Sequence, residues 1–373
     1  MRVIIAGGGT GGHLFPGVAV AEEFVRRGRS ARIVFVGTEH GIEARVIPKE
    51  GYPIEFLSAE GLVGKTPIKK LKAAYLLLVS MIQSRRIISS VRPDIVVGVG
   101  GYASVGMVLA AHFMGVPTIV MEQNSVPGFA NKLLSNFADA IAVTYQESIG
   151  SFPREKTFLT GNPVRKKILA RDAVDARGSF SLARDRFAVL IFGGSLGART
   201  INNAMGEALH YLLDLRDNIQ FIHQTGEKDL KDAMEIYKKL GFSGTVMPFI
   251  YQMADAYSAA DLVVCRAGAT TLSEITAMGK ASILVPYPYA ASNHQESNAR
   301  KLEDMGAATV ILDRHLSGEV LAKVIRGLYD NPEKRLEMQK ASKAFGRPDA
   351  AEKIVDIAMN LTRRTQYGKA HDV

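Results

Sequence analysis

Short apolar runs alternate with stretches of helical period from one end of the chain to the other. Val3–Ala6 opens the pattern as a strand, followed by a glycine loop from Gly7 to Gly12 and a helix through Arg27. Ile33–Val36 and the weaker Ile54–Leu57 read as the next strands, and Lys69 to Ser90 as a long helix. Ile95–Val99, Thr118–Glu122 and Ala140–Val143 are further strands, each running into a loop. This alternation predicts a parallel α/β sheet, because parallel neighbours need long crossovers and helices supply them.

After a charged connector with one short helix, Arg165 to Arg186, the opening theme recurs. Phe187–Phe192 leads into Gly193-Gly194-Ser195-Leu196-Gly197-Ala198 and then a helix. Strands are expected near Gln220–His223, Thr245–Pro248, Leu262–Val264, Ser282–Val285 and Thr309–Ile311. Two such halves predict an α/β chain of two Rossmann-like parallel-sheet domains. Pro348 suits the first turn of a last helix with Ile354, Ile357, Ala358 and Leu361 on one face. The polar tail after Arg363 is expected to fray. Ile95 to Met121 has no Asp, Glu, Lys or Arg and is long enough to span a bilayer. Its five glycines and Pro117 instead predict strand, glycine turn, buried helix and strand.

Composition narrows the class. At 373 residues, 47% hydrophobic and 22% charged, the chain fits a soluble globular protein of two domains. Its one cysteine, Cys265, excludes an internal disulfide framework and suits a reducing cytosol. The start shows no signal-peptide layout. A net charge of +9 favours an anionic partner. No zinc-ligand spacing, no Asp-x-Asp pair and no aromatic-basic RNA signature occurs, so neither a metal, a cofactor nor a nucleic-acid partner is expected.

The chemistry gathers where strands end. Cys265 to Glu274 runs from a strand through Gly268 into a helix, whose unpaired N–H groups and dipole suit a phosphate. Thr270 and Thr271 add hydroxyls, and Glu274, one turn on from Thr270, could accept from a ribose; Thr271-x-x-Glu274 also reads as a capping box. Gly7-x-Gly9-x-x-Gly12, with Glu39 after the next strand, fits a dinucleotide fingerprint and raises an NAD(P)-dependent oxidoreductase as one alternative. His13 at the mouth of the first helix can act as a base or simply bond a loop. Gly98-x-Gly100-Gly101-Tyr102 is a third glycine turn, and Glu122-Gln123-Asn124 places polar groups at another strand end. Arg165, Ser195 and Gln295 are further candidates for a diphosphate and a sugar. Leu76 and other apolar residues of the long helix lie among Lys69, Lys70, Lys72, Arg85 and Arg86. That mixture suits peripheral contact with an anionic membrane, or else a buried helix. A lipid-binding protein without catalysis is a second alternative.

These motifs resemble the MurG family of bacterial N-acetylglucosaminyltransferases. The matching segments are residues 8–16, 100–104, 122–124, 161–165, 193–198, 265–274 and 295–298, in family order over nearly the whole chain. Leu196 stands where the family usually has Gln, and Val105-Gly106 where it has Gly-Pro. The resemblance implies a GT-B fold with a cleft between its domains. It divides the chain into 1–163 plus 347–373, facing acceptor and membrane, and 164–346, binding UDP-sugar. It implies that N-acetylglucosamine passes from UDP-N-acetylglucosamine to the C4 hydroxyl of undecaprenyl-linked lipid I, with inversion, giving lipid II for peptidoglycan. A diacylglycerol glucosyltransferase is the nearest rival within the fold. Donor contacts are implied at Thr10, Gly11, Gly12, Asn124, Arg165, Ser195, Ile250 (by its backbone), Ala269, Thr270, Glu274 and Gln295. The acceptor falls to Gly100, Gly101 and Tyr102, and the base to His13 or Glu122. The expected location is the cytoplasmic face of the cell membrane, as a peripheral protein.

Overall fold

The computed structural model describes residues 1–59, 67–170 and 173–371; the side chains of residues 67–74, 173–175 and 365–371 lie outside that description. The chain divides into two compact units, Met1–Arg165 with Arg347–Val373, and Lys166–Gly346.

The first unit carries β1 (Arg2–Ala6), β2 (Arg32–Gly37), β3 (Ile54–Phe56), β4 (Ile95–Gly98), β5 (Thr118–Glu122), β6 (Ala140–Val143) and β7 (Thr157–Leu159). Among the described residues they form one parallel sheet in the order β3-β2-β1-β4-β5-β6-β7. Ile4 pairs with Val34 on one side and Val96 on the other. The helices are α1 (Gly11–Arg27), α2 (Glu43–Val46), α3 (Pro67–Val91), α4 (Tyr102–Phe113) and α5 (Phe129–Leu134). β7 has no counterpart in the sequence reading: it is a half-exposed edge strand of three residues, too short to show a period. Residues 95–121 fold as β4, α4 and β5, and no helix among the described residues is long and apolar enough to cross a membrane.

The second unit begins with α6 (Lys166–Leu169) and α7 (Ala173–Gly178), then β8 (Phe187–Phe192), α8 (Arg199–Tyr211), β9 (Ile219–Gln224), α9 (Leu230–Leu240), β10 (Ser243–Met247), α10 (Met253–Ala259) and β11 (Leu262–Cys265). It continues with α11 (Ala269–Met278), β12 (Ala281–Leu284), α12 (His294–Asp304), β13 (Thr309–Val310), α13 (Gly318–Tyr329) and α14 (Pro332–Phe345). Its parallel sheet runs β10-β9-β8-β11-β12-β13. All of β8 is buried, as a strand covered by helices on both faces must be, which is why it reads as an unbroken apolar run.

The chain ends in α15 (Ala350–His371), which belongs to the first unit. Pro348 lies in the turn before it. Ile354, Val355 and Ala358 enter the core beneath α1, and the fully buried Glu23 of α1 holds Arg26 and Arg27, which in turn meet Glu352 and Asp356. The helix runs to His371, past Arg363.

Both sheets share one consequence. Successive crossovers reverse direction between β1 and β4 in the first and between β8 and β11 in the second. Loops after those strands flank a crevice at the carboxyl edge, where open α/β sheets bind ligands. The glycine-rich segments fall on those loops.

Candidate functional site

In the first unit two glycine loops touch through their backbones. The Gly8 N–H donates to the Gly100 carbonyl at 3.3 Å. A Cβ on Gly101 (φ +80°) would lie 2.7 Å from the Gly8 oxygen, so this approach tolerates no side chain. Thr10 is the exposed N-cap of α1, its hydroxyl making no capping bond, and Gly11 and Gly12 form the first turn. Tyr102, which opens α4 just after Gly101, is 48% exposed. Gly106 within α4 serves packing: a Cβ there would meet the Ser80 hydroxyl of α3 at 2.1 Å.

His13 is half-buried against this loop, and a Cβ on Gly100 would sit 2.4 Å from its Nδ1. Nδ1 lies 3.3 Å from the Gln123 Oε1. The Gln123 Nε2 donates to the Val99 carbonyl at 2.8 Å. A carbonyl only accepts, so the amide is oriented with its oxygen toward the ring. Nδ1 therefore carries the proton, and Nε2 is the basic nitrogen.

Glu122 differs. It is 2% exposed, and its carboxylate accepts from Asn124 N at 3.0 Å, Asn124 Nδ2 at 3.3 Å, Gly128 N at 3.0 Å and Asn131 Nδ2 at 2.8 Å. A carboxylate so fully donated to organises its loop, and through it Asn124. Arg165 is 8% exposed, its guanidinium 4.0 Å from the ring centre of Phe15 on α1.

One residue in this unit escaped the sequence reading. The carboxylate of Glu43, 1% exposed on α2, accepts from Gly9 N at 2.7 Å, Thr38 N at 2.9 Å and Thr38 Oγ1 at 2.9 Å. Cβ atoms on Gly8, Gly37 and Gly41 would come within 2.1–2.4 Å of its side chain. Glu43 thus takes up the Gly9 N–H, a group that a Gly-x-Gly-x-x-Gly loop could otherwise offer to a phosphate. Glu39, the acid suggested for a ribose, is exposed in the turn before it. A built-in anion repels a second one, which removes the structural basis of the oxidoreductase alternative.

In the second unit the equivalent loop stays open to solvent. Ser195 is exposed, Gly194 has φ +106°, and Leu196 is 90% exposed. Beside it, Gly268 caps α11, so Ala269 and Thr270 form the first turn and Thr271 is already inside the helix. The capping-box reading of Thr271 and Glu274 does not hold. Glu274 is 5% exposed, and Tyr257 Oη donates to its Oε2 at 3.0 Å. Thr270 and Glu274 share a face of α11. The Gln295 Oε1 accepts from Tyr287 N at 2.9 Å, which turns its amide nitrogen outward as a donor. The Ile250 N–H donates to the Gln224 Oε1 at 2.8 Å, so the backbone group it offers a base is its carbonyl. Arg266, also missed from sequence, bonds the Val285 and Pro286 carbonyls at 3.2 Å each, Asp313, and the Thr200 hydroxyl at 2.7 Å, pinning the ends of β11 and β12 to α8. Among the described residues no group of three His, Cys, Asp or Glu side chains could hold a metal ion.

On α3 one face is buried through Ser80, Ser84 and Ile88, with Leu77 and Met81 packed alongside. The other presents Tyr75, Leu78 and Ile82, at 65%, 61% and 57% exposure, followed by exposed Arg85 and Arg86. Leu76 is half-buried; the side chains of Lys69, Lys70 and Lys72 lie outside the described residues. A wholly buried helix is excluded.

Residues 3–143 match the glycosyltransferase family 28 N-terminal domain, and residues 188–354 match its C-terminal domain. The chain is 58% identical over 364 residues to the UDP-N-acetylglucosamine–N-acetylmuramyl-(pentapeptide) pyrophosphoryl-undecaprenol N-acetylglucosamine transferase of Thermodesulfovibrio yellowstonii, covering 98% of this chain and 100% of that one. The Myxococcus xanthus enzyme of the same name is 49% identical, covering 98% and 94%. The crystal structure of Acinetobacter baumannii MurG superposes with a TM-score of 0.76 at 30% identity, covering 96% and 99%. A Neisseria meningitidis UDP-GlcNAc 2-epimerase bound to UDP-GlcNAc shares the fold alone, at a TM-score of 0.70 and 12% identity, covering 96% and 100%.

Proposed function

Because this chain belongs to the N-acetylmuramyl-(pentapeptide) pyrophosphoryl-undecaprenol N-acetylglucosamine transferases of glycosyltransferase family 28 and has their GT-B fold, we propose that it converts lipid I into lipid II. The C4 hydroxyl of the muramoyl sugar attacks the anomeric carbon of UDP-N-acetylglucosamine from the face opposite the nucleotide. The new C–O bond forms as the bond to the β-phosphate oxygen breaks, UDP leaves with the electron pair, and the configuration inverts.

The observation that carries the assignment of roles is the contact of His13 Nδ1 with the Gln123 Oε1, whose amide is oriented by the Val99 carbonyl. Its Nε2 takes the hydroxyl proton, and Gln123 supports the imidazolium that results. Glu122 is left to hold the Asn124 loop, since its carboxylate already accepts four hydrogen bonds from that loop and from Asn131. The charge that grows on UDP is met by the Ser195 hydroxyl and by the N–H groups at Ala269 and Thr270. Glu274 accepts from the ribose hydroxyls, the Ile250 carbonyl meets the base, and Gln295 donates to the sugar. Thr10, Gly11, Gly12 and Asn124 contribute polar groups toward the donor, and Arg165, seated on Phe15, adds fixed positive charge beside α1. Gly100, Gly101 and Tyr102 form the acceptor's platform. The stripe of Tyr75, Leu78 and Ile82 with Arg85 and Arg86 is the part that rests on an anionic bilayer at the cytoplasmic face, with Leu76 beside it and Lys69, Lys70 and Lys72 at the start of the same helix.

The test is UDP release from UDP-N-acetylglucosamine with short-chain lipid I. Release that requires the acceptor, with a new glycosidic bond of inverted configuration, supports the reading. Transfer to diacylglycerol in place of lipid I would overturn it.

A further inference from the structure

Gln224, the last residue of β9, is 4% exposed, and both ends of its carboxamide are engaged. Its Nε2 donates to the Gly194 carbonyl at 2.7 Å, and its Oε1 accepts from the Ile250 N–H at 2.8 Å. With an acceptor at one end and a donor at the other, the amide has a single satisfying orientation. One side chain thus joins the glycine loop after β8 to the loop after β10.

The surrounding backbone repeats the join. Thr225 N donates to the Met247 carbonyl at 3.0 Å, and Gly226 N to the Pro248 carbonyl at 3.1 Å. A Cβ on Gly197 (φ +76°) would fall 1.9 Å from the Thr225 oxygen, and one on Gly226 (φ +77°) 2.2 Å from the Leu196 oxygen. Behind them Asn202 Nδ2 donates to the Thr225 carbonyl at 2.8 Å, and the fully buried His223 lies 3.1 Å from Asn202 Oδ1. The end of β9 is therefore a fixed post between two loops, and Gln224 is its one side chain bonded to both.

We propose that Gln224 is a positioning residue for the nucleotide: it sets the separation between the loop that holds the diphosphate and the backbone that meets the base. The inference rests on the reading that Ser195 and Ile250 face the donor. Uracil and diphosphate are held a fixed distance apart by the ribose, so a nucleoside diphosphate gains full affinity only when both loops are spaced to match it. A neutral amide suits the task, because a carboxylate at this point would repel both the Gly194 carbonyl and the diphosphate.

The experiment compares Gln224→Leu, which removes both bonds at similar volume, and Gln224→Glu, which keeps an acceptor for Ile250 but sets a charge against Gly194. UDP binding, donor KM, kcat and thermal stability are measured on the full chain. Losing two buried hydrogen bonds that order the site should weaken UDP and raise donor KM about tenfold, with kcat at saturating donor within about threefold. Ser195→Ala should combine with Gln224→Leu less than additively, since both act through one loop. A drop in Tm with UDP affinity and donor KM unchanged would overturn the proposal and leave Gln224 a core residue. Where Gln224→Leu does not fold, Gln224→Glu carries the same test. If Ser195→Ala and Glu274→Ala also leave UDP affinity unchanged, the donor assignment itself has failed; if they weaken it and the Gln224 variants do not, only this inference has.

Discussion

The loop after β1 and the loop after β8 look alike in sequence: strand, run of glycines, helix. They are filled differently. The first is occupied from within by the carboxylate of Glu43, bonded to Gly9 and Thr38 and seated among Gly8, Gly37 and Gly41. The second is braced from behind by the neutral amide of Gln224 and leaves Ser195 exposed. Glycine spacing states only that something approaches the backbone closely. The charge of that neighbour decides whether the loop can take a phosphate. On the proposed assignment, the loop already holding a carboxylate serves His13 and the acceptor, and the loop braced by an uncharged group serves the nucleotide.

The largest expected effect breaks the comparison on its catalytic side. His13→Ala should lower kcat by about 10²–10⁴-fold, the usual reach of a general base, with UDP affinity little changed. Gln123→Leu should lower kcat less, because it frees the ring rather than removing it. Near-normal turnover in His13→Ala would leave the first loop without its proposed task.

A smaller effect tests the proposed contact of the first unit with the bilayer. Each cation near an anionic surface contributes on the order of 1 kcal/mol, so Arg85→Ser with Arg86→Ser should weaken binding to phosphatidylserine vesicles roughly 30-fold. Added salt should weaken wild-type binding too, while activity on a water-soluble acceptor analogue persists. Equal binding to neutral and anionic vesicles would leave the Tyr75–Leu78–Ile82 stripe without that partner.

The strands were legible because buried parallel strands are nearly unbroken apolar runs, as Phe187–Phe192 is. β7 was not, since a half-exposed edge strand carries no such run. The glycine turns, the helix start at Ala269 and Glu274 one turn on could be found from local spacing alone. Glu43 could not: it lies 34 positions from Gly9, and only the pairing of β1 with β2 brings its helix back to the loop. Gln224 and Arg266 share that difficulty, because each acts by joining segments far apart in the chain. Local pattern also leaves roles open where the surroundings differ. Glu122 and His13 both read as candidate bases, and the bonds around them, four donors on the carboxylate and one amide oxygen at the imidazole Nδ1, are not visible in local sequence.

The division of labour between the loop after β1 and the second unit is tested most directly by titrating UDP calorimetrically into the wild-type chain, Glu274→Ala and Glu43→Gln. Loss of a charged hydrogen-bond partner for the ribose should weaken UDP about tenfold or more in Glu274→Ala, whereas Glu43→Gln should bind UDP within about threefold of wild type. Equal weakening in both variants, or weakening in Glu43→Gln alone, would contradict the account.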